Sequence, residues 1–584
     1  MERSDLHKSS IFNLQSSISL WLTGQSQTPI LADRSMGSRI YVGTGGLMRI
    51  LSVYYGHDAN CTLLEDGQPV AVLEKERLTR IKHDQGVMDL DGILQDYGWE
   101  PETIDVIAIN PWTRPTLDGT HFEWQLQGDT YRDHPDYMLD GWCGPVDGRY
   151  SRHKIKLFGQ WYDGYAVDHH LAHIAGALFT SPFEEAGILT ADGGGDLRMC
   201  ALAHGSGNKI HEIEYGWGHE HKKLQLNIGS VWASIGEYNF GMMRLEGAGK
   251  LMGLASYGTA RDDIAEVLKN LMLYHPFTAF PSHEFRGKDG LKLAPDDAFA
   301  QDICTSLQKV TTDFYLEAAA RMKAWKPGAS AGLIMTGGCS MNCIANTAVH
   351  QSGLFEDTWV PAQPHDGGLS LGQALFVWHH VLDQPRTAAA LSPYLGTDAG
   401  PLDEDVIPAI IGFLIQGQSV GLCFGRAESG PRALGHRSIL IDPRLADGKD
   451  RLNDHVKHRE WYRPFAPMVL GDWGVPSKYM SYIVPTDAAE VPAVTHVDGT
   501  SRPQIVEAGD DPFVVKLLTA WHEKTGCNVL LNTSFNCQEP LVDTVDQARA
   551  TWQRTGLDVL VTPEGIEVDK DRARGGAASL EMKN

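Results

Sequence analysis

Residues 48–80 read MRILSVYYGHDANCTLLEDGQPVAVLEKERLTR, and this stretch decides the fold. An apolar run ending at Tyr55 meets a polar turn, Gly56–Asn60, and a second apolar run follows. Glu65–Asp66–Gly67 separates that run from a third, which is the signal of a tight hairpin. The expectation is strand, turn, strand, turn, strand at the opening of an α/β domain. Further out, AGILTADGGGD (186–196) and SAGLIMTGGCSMN (330–342) are strand-length runs that also end in glycine turns. Three strands ending in Gly- or Asp-bearing loops predict one mixed sheet with a site at the strand ends.

The chain has 584 residues, more than one core usually serves. A first domain is expected over 48–385, a linker over 386–401 and a second α/β domain over 402–568. In the last of these, IPAIIGFLIQGQSVGLCFG (407–425) predicts a helix and then a strand. Residues 1–47, rich in Ser, Gln and Gly, read as a flexible extension without a secretion signal, and 569–584 as a polar tail. A net charge of −24 repels polyanions, so nucleic acid is a poor substrate. No apolar run reaches bilayer length, so no membrane partner is expected. Nine scattered cysteines without a CxxC point to reduced thiols in a cytoplasmic protein. A homodimer is a possible assembly.

DHHLAH (168–173) places His169 and His173 four apart on one helical face, with His170 pointing elsewhere. Two imidazoles at that spacing can share a metal, although the pair alone is a weak motif. Asp192 and Asp366 each sit at a turn into glycines, in TADGGGD and PHDGG. Two His and two carboxylates with open positions suit iron(II), manganese or zinc better than a closed structural zinc. Gly193, Gly194 and Gly195, with Gly337 and Gly338, are turns whose N–H groups can approach phosphate oxygens. Asn342 and Asn346 follow on one helix face, where amides could meet a ribose or base. His57 closes the first strand as either a turn histidine or a base for an alcohol. Glu246 and Lys250, in EGAGKLMGLASYG, read equally well as surface turn residues or as contacts to a polyol acceptor.

GRAESGPRALGHRS brings Arg426, Arg432 and Arg437 within twelve residues, and KHREWYRPFAP adds Lys457, Arg459 and Arg463. So dense a basic set in an acidic protein calls for an anionic ligand, and guanidinium forks suit phosphate. Arg502, Asn532, Thr533, Ser534 and Asn536 add donors, so the second domain reads as a phosphate and nucleotide cavity. The aromatic segment 111–166 reads as an irregular insertion or as a wall of the acceptor pocket.

In order and spacing, HDAN, ERLTRIKHD, DHHLAH, DGGGD, GKLMGLASYG, TGGCSMNCIAN, GRAESGPRALGHRSIL, KHREWYRPFAP, THVDGTSRPQ and LLNTSFN resemble the NodU/TobZ-type O-carbamoyltransferases over residues 48–568. The resemblance implies an actin-like (ASKHA, TsaD-like) first domain and a YrdC-like second domain. It implies that carbamoyl phosphate, held by Lys457, Arg463, Arg502 and Ser534, gives carbamate, which ATP adenylates. Arg426, Arg432, Arg437 and Asn532 would support the phosphates. The carbamoyl-adenylate then meets a divalent metal, expected to be iron(II), at His169, His173, Asp192 and Asp366. His57 is expected as the base for the hydroxyl of a small-molecule acceptor. Family acceptors include guanidinium alkaloids of the saxitoxin type, and the acidic charge leans towards a cationic acceptor of that class. The competing readings are tRNA threonylcarbamoyl modification and an ATP-binding ASKHA protein that transfers nothing. A HypF-type maturation enzyme would carry paired CxxC motifs, which this sequence lacks.

Overall fold

The computed structural model describes residues 47–110, 123–126, 150–195, 198–215, 227–274, 285–287, 292–326 and 332–569. The opening strands are β1 (Arg49–Tyr54), β2 (Asn60–Glu65) and β3 (Gln68–Glu74). The β2–β3 hairpin turns at Asp66 and Gly67, with φ of 48° and 80°, as a tight two-residue turn requires. With β4 (Val106–Ile109), β5 (Glu123–Leu126), β6 (Tyr150–Leu157) and β7 (Gln160–Val167) they form one sheet in the order β3-β2-β1-β4-β7-β6-β5.

A second sheet contains β8 (Glu185–Gly195), β9 (Arg198–Ser206), β10 (Lys209–Tyr215), β11 (Gly332–Thr336) and β12 (Asp357–Trp359). Its order is β10-β9-β8-β11-β12. β1 runs antiparallel to β2 and parallel to β4, just as β8 runs antiparallel to β9 and parallel to β11. The two sheets thus repeat one plan, a three-stranded meander followed by parallel strands, and this paired plan is that of the actin-like fold. The single mixed sheet expected from the three glycine turns is therefore corrected: β1 belongs to one sheet, β8 and β11 to the other.

Two helices lie between the sheets. His169–Phe179 packs on β8 and β11, Leu369–Leu375 packs on β1 and β2, and the two helices touch. They approach backbone to backbone: a Cβ at Gly372 would stand 2.0 Å from the Ala172 carbonyl oxygen. This contact brings the β1 end and the β8 end to one place. On the second sheet the long helix Ala298–Trp325 closes a core that includes Leu307, Phe314 and Met335.

Beyond residue 386 come β13 (Tyr394–Asp398), β14 (Val420–Cys423), β15 (Arg426–Glu428), β16 (Arg437–Ile441), β17 (Ala466–Leu470), β18 (Val484–Pro485), β19 (Thr500–Ser501), β20 (Gln504–Val506), β21 (Val529–Ser534), β22 (Val559–Thr562) and β23 (Gly565–Val568). Seven of them make the sheet β20-β17-β21-β16-β14-β22-β23. Helices Ile407–Ile415 and Pro512–Thr525 bury Ile410, Leu414, Leu517 and Trp521 against it. The stretch 386–401 is tied down: β13 pairs with β15 and lies against β3 of the first half. The halves are also fastened by arginines on backbone carbonyls. Arg77 donates to Glu428 and Gly430, and Arg80 to Pro540 and Leu541. No helix among the described residues is long and apolar enough to cross a membrane.

Candidate active site

Asp168 caps the helix His169–Phe179 by accepting from the Leu171 N–H at 3.0 Å, which fixes the first turn and points His169 and His173 the same way. Their Nε2 atoms are 3.2 Å apart. Asp192 Oδ2, from β8, lies 2.8 Å from His169 Nε2 and 3.3 Å from His173 Nε2. Asp366 Oδ1, from the turn preceding Leu369–Leu375, lies 3.6 Å and 3.3 Å from the same two nitrogens. The structure therefore brings together all four residues expected as ligands, each buried, with donor atoms within 4.8 Å of one another.

This donor set fits a divalent cation. Two neutral imidazoles and two buried carboxylates leave an uncompensated charge of about −2 in a water-poor site, which requires a cation or protons. Burial opposes the charged form of His173, but Asp192 and Asp366 outweigh it and raise its pKa; Asp192 in turn is held well below the usual carboxylate range. Outer contacts fix the ligands. Tyr54 O–H donates to Asp366 Oδ2 at 2.8 Å, and the Asn60 amide donates to the Asp366 carbonyl at 2.8 Å.

His57 stands at the rim, with Nε2 3.3 Å from Asp366 Oδ2 and Nδ1 3.0 Å from Asp58 Oδ2. The other Asp58 oxygen meets His83 Nδ1 at 2.6 Å. Burial would lower the His57 pKa, yet Asp366 and the hydrogen-bonded Asp58 lift it to about 9. A cation among the four ligands would neutralise Asp366 and relieve that lift, which a base at neutral pH requires. Tyr54, Asp58 and His83 were not singled out from the sequence. The HDAN and ERLTRIKHD strings contain Asp58 and His83, and Tyr54 lies in the first apolar run, but nothing in the residues ranked one position above its neighbours.

The glycines curl over this cluster. A Cβ on Gly195 would fall 2.1 Å from the His169 ring, and one on Gly337, at φ 84°, would fall 2.2 Å from the Ala191 carbonyl oxygen. Gly193 N–H donates to Asp192 Oδ1 at 2.7 Å, Gly194 sits at φ 125°, and a Cβ on Gly338 would come within 2.9 Å of Asp192. Asn342 and Asn346 correct the expectation of ribose or base contacts. Asn342 caps the helix Cys343–Gln351 through Ala345 N–H and exchanges hydrogen bonds with Gln308. Asn346 is wholly buried and donates to the carbonyls of Ser340 and Ser481. Asp196 and residues 111–122 and 127–149 of the aromatic segment lie outside the described residues.

In the second half, Lys457 Nζ donates to Ser534 Oγ at 3.1 Å and Asn536 Oδ1 at 2.7 Å. Burial, and then the nearby Arg459 and Arg463, push its pKa well down. Burial and the charge of Arg502 hold Arg432 down to about 9, with Arg463 adding to the repulsion. No carboxylate pairs with Arg432 or Arg502 among the described residues, and Arg502 Nε is buried without a partner. Half-buried guanidiniums that repel one another, with no carboxylate to answer them, have the donor geometry and charge that suit a dianion. Arg426, Arg437 and Asn532, expected at the phosphates, do not join this group. Arg437 is wholly buried and donates to the carbonyls of Asp543, Phe424, Thr397 and Gly425. Arg426 holds the carbonyls of Gly396, Leu395 and Val70, while Asn532 holds Ala433 and Gln504. Dense arginine marks anion sites and carbonyl-rich bends alike, and only geometry separates them.

Glu246 and Lys250 stand in a chain of ion pairs between the halves. Glu246 pairs with Lys82 at 3.1 Å and with Lys250 at 3.4 Å; Lys250 pairs with Glu460 at 2.9 Å, which reaches Arg463 at 3.4 Å. A second bridge is the turn GGCSMNC. Gly338 and Cys339 lie against Asp192, while the Cys343 thiol, raised by burial, feels Arg502 and Arg432. The four residues from Cys339 to Cys343 span at most about 14 Å, so this turn runs from the His/Asp cluster to the neighbourhood of Arg502 and Arg432 within that length.

The comparisons with known proteins agree with this two-part arrangement. Residues 49–375 match the family described as Carbamoyltransferase N-terminus, and 412–567 match Carbamoyltransferase C-terminus. The chain is 31% identical to Nodulation protein NolNO of Sinorhizobium fredii over 89% of its own length and 81% of the relative's. It is 28% identical to Nodulation protein U of Rhizobium tropici, covering 84% of this chain and 91% of that one. A Synechocystis protein, sll1178, is 29% identical over 88% of this chain and 95% of its own length. With the first family description covering the half that holds the His/Asp cluster and the second covering the arginine-rich half, the chain belongs to the carbamoyltransferase family.

Proposed function

We propose that the protein is an ATP-dependent O-carbamoyltransferase that works in two steps at two facing sites. The observation that carries this reading is the turn 337–343, which touches the His/Asp cluster at one end and meets Arg502 and Arg432 through Cys343 at the other. In the second half, Arg432, Arg463, Arg502 and Lys457, with Ser534, bind carbamoyl phosphate. Water attacks it to give carbamate and inorganic phosphate, and the carbamate oxygen displaces pyrophosphate from ATP to give carbamoyl-adenylate. Carbamate decomposes in bulk water, so a short enclosed path between sites is what the chemistry needs.

In the first half, a hydroxyl oxygen attacks the carbamoyl carbon, the bond to the AMP oxygen breaks, and His57 takes the hydroxyl proton on its imidazole. Asp58, gripped by His83, orients that ring. A divalent metal held by His169, His173, Asp192 and Asp366, iron(II) in this reading, would supply positive charge for the adenylate phosphate. The glycine turns, apart from the Gly193 N–H that Asp192 holds, would offer backbone N–H groups to the same phosphate. The acceptor is a small alcohol, and the excess of 74 acidic over 50 basic residues favours a cationic one, such as a guanidinium alkaloid of the saxitoxin class.

The test is mass spectrometry of the full chain with ATP, carbamoyl phosphate and matched neutral and cationic alcohols. Acceptor gaining one carbamoyl group together with AMP is the expected result. Formation of ADP in place of AMP would overturn the adenylate route, and equal turnover on neutral and cationic alcohols would overturn the charge preference.

A further inference from the structure

Behind the segment that carries Lys457 lies a cavity of about 480 Å³, and neither Arg432, Arg463 nor Arg502 lines it. One wall is Arg451, His455 and His458; the other is Arg554, Thr555 and Asp558, and Leu452 and Val456 are among the floor. The walls are stitched at the base, where Gly556 N–H donates to the His455 carbonyl at 2.7 Å. Glycine is needed there, since a Cβ on residue 556 would stand 2.8 Å from His455 Cβ.

The charge of this lining runs against that of the chain, whose net charge is −24. Asp558 is the only acid among the lining residues; its Oδ2 accepts from the Ser419 N–H at 2.8 Å and O–H at 2.7 Å and lies 3.8 Å from Arg451, which also donates to the Gly417 carbonyl at 2.9 Å. Two guanidiniums, Arg451 loosely paired with Asp558 and Arg554 paired with Glu539 from outside the lining, and two exposed imidazoles therefore face a concave space against one carboxylate, with Leu452 and Val456 beside them. Four such donors around one cavity match the oxygens of a phosphate, and the volume lies in the range of small-molecule sites.

Both walls lead to Lys457. The segment bearing His455 ends at Lys457 and at His458, whose backbone turns left-handed at φ 45°. The Gln538 amide donates to the His458 carbonyl at 3.0 Å. Arg554 pairs with Glu539, whose carbonyl accepts from Asn536, and Asn536 Oδ1 is the acceptor held by Lys457. A ligand that drew on Arg554 and the histidines would pull on the loop 536–539 and on the segment that positions Lys457.

We propose that this cavity is a second ligand site, taking a phosphate-bearing small molecule about the size of a nucleoside monophosphate, and that its occupancy is felt at Lys457. The site stands apart from the donor arginines and does not depend on the reaction assigned to them.

The experiment is hydrogen–deuterium exchange of the full chain titrated with AMP. Exchange should slow over 448–458 and 553–559, and excess inorganic phosphate should reverse the effect. In Arg554→Gln the AMP midpoint should rise about tenfold, the size of one lost charged hydrogen bond. Because Arg554 also holds Glu539, a His455→Gln/His458→Gln pair of exposed positions serves as the second variant, with the same expected rise. Slowing confined to residues near 432, 502 and 534 would place AMP in the donor site alone and overturn the proposal. So would absence of slowing over 553–559, indifference to phosphate, or a midpoint unchanged in both variants.

Discussion

Replacing Arg432 with glutamine should make the protein more stable and unable to hold carbamoyl phosphate. The guanidinium is half-buried beside Arg502 and Arg463 with no carboxylate to answer it, and its pKa is drawn from 12.5 to about 9. At neutral pH, below both values, the whole cost of keeping that charge folded is present. It amounts to about 5 kcal/mol if nothing relaxes, and about half of that once water and side-chain motion screen the repulsion. Glutamine keeps an amide donor and removes the charge, so a gain of about 1–3 kcal/mol is expected. In the proposed function the same change deletes one of the donor's phosphate contacts, so carbamoyl phosphate affinity should fall at least about tenfold. Urea unfolding of the full chain, with and without carbamoyl phosphate, measures both quantities. The ligand should stabilise the wild type and do little for the variant. A less stable variant that binds carbamoyl phosphate as before would refute the reasoning, because Arg432 would then be structural.

Arg437→Gln should do the opposite. Losing the buried fork leaves several carbonyls unpaired and costs about 3–5 kcal/mol in urea unfolding, with donor affinity of the folded fraction unchanged. Tyr54→Phe removes the hydroxyl on Asp366 and should weaken metal binding about 10-fold to 100-fold by competition with a chelator, leaving helix content intact. His153 lies buried in β6, and burial holds its pKa at about 4 against an ordinary 6.5. Below 6.5 the unfolded chain takes a proton that the folded chain refuses until about 4, so stability falls as pH drops through this window. The share of His153 is about 2 kcal/mol between pH 7 and pH 5, and His153→Gln should flatten the urea-derived stability curve by that amount.

Much of the site was legible because its chemistry coincides with simple spacing. His169 and His173 announce one helical face, and Asp192 and Asp366 each sit where a strand or turn runs into glycines, so all four converge as expected. The β2–β3 hairpin and the helix-to-strand opening of the second half were equally plain, since turn residues and apolar periods act locally. The repetition of the two sheets was invisible, because β1–β4 and β8–β11 share a hydrogen-bonding plan and no residues. Arginine density misled in one direction: Arg432 is left without a carboxylate partner, whereas Arg437 and Arg426 fill carbonyl-lined bends. The Asn342–Asn346 spacing suggested a binding face, but an asparagine ahead of a helix serves first as its cap. Asp58 and His83 act through a contact between residues 25 apart, which no local pattern encodes.

The most direct test of the two-site account separates its halves in one variant. His57→Ala and wild type would be given radiolabelled ATP and carbamoyl phosphate with an alcohol that the wild type carbamoylates, and pyrophosphate and carbamoylated product counted. The account predicts that His57→Ala still releases pyrophosphate, because the adenylating arginines are untouched, while carbamoylated product falls at least about a hundredfold. Loss of pyrophosphate release together with product, in a variant that remains folded, would contradict a division of the chemistry between the two sites.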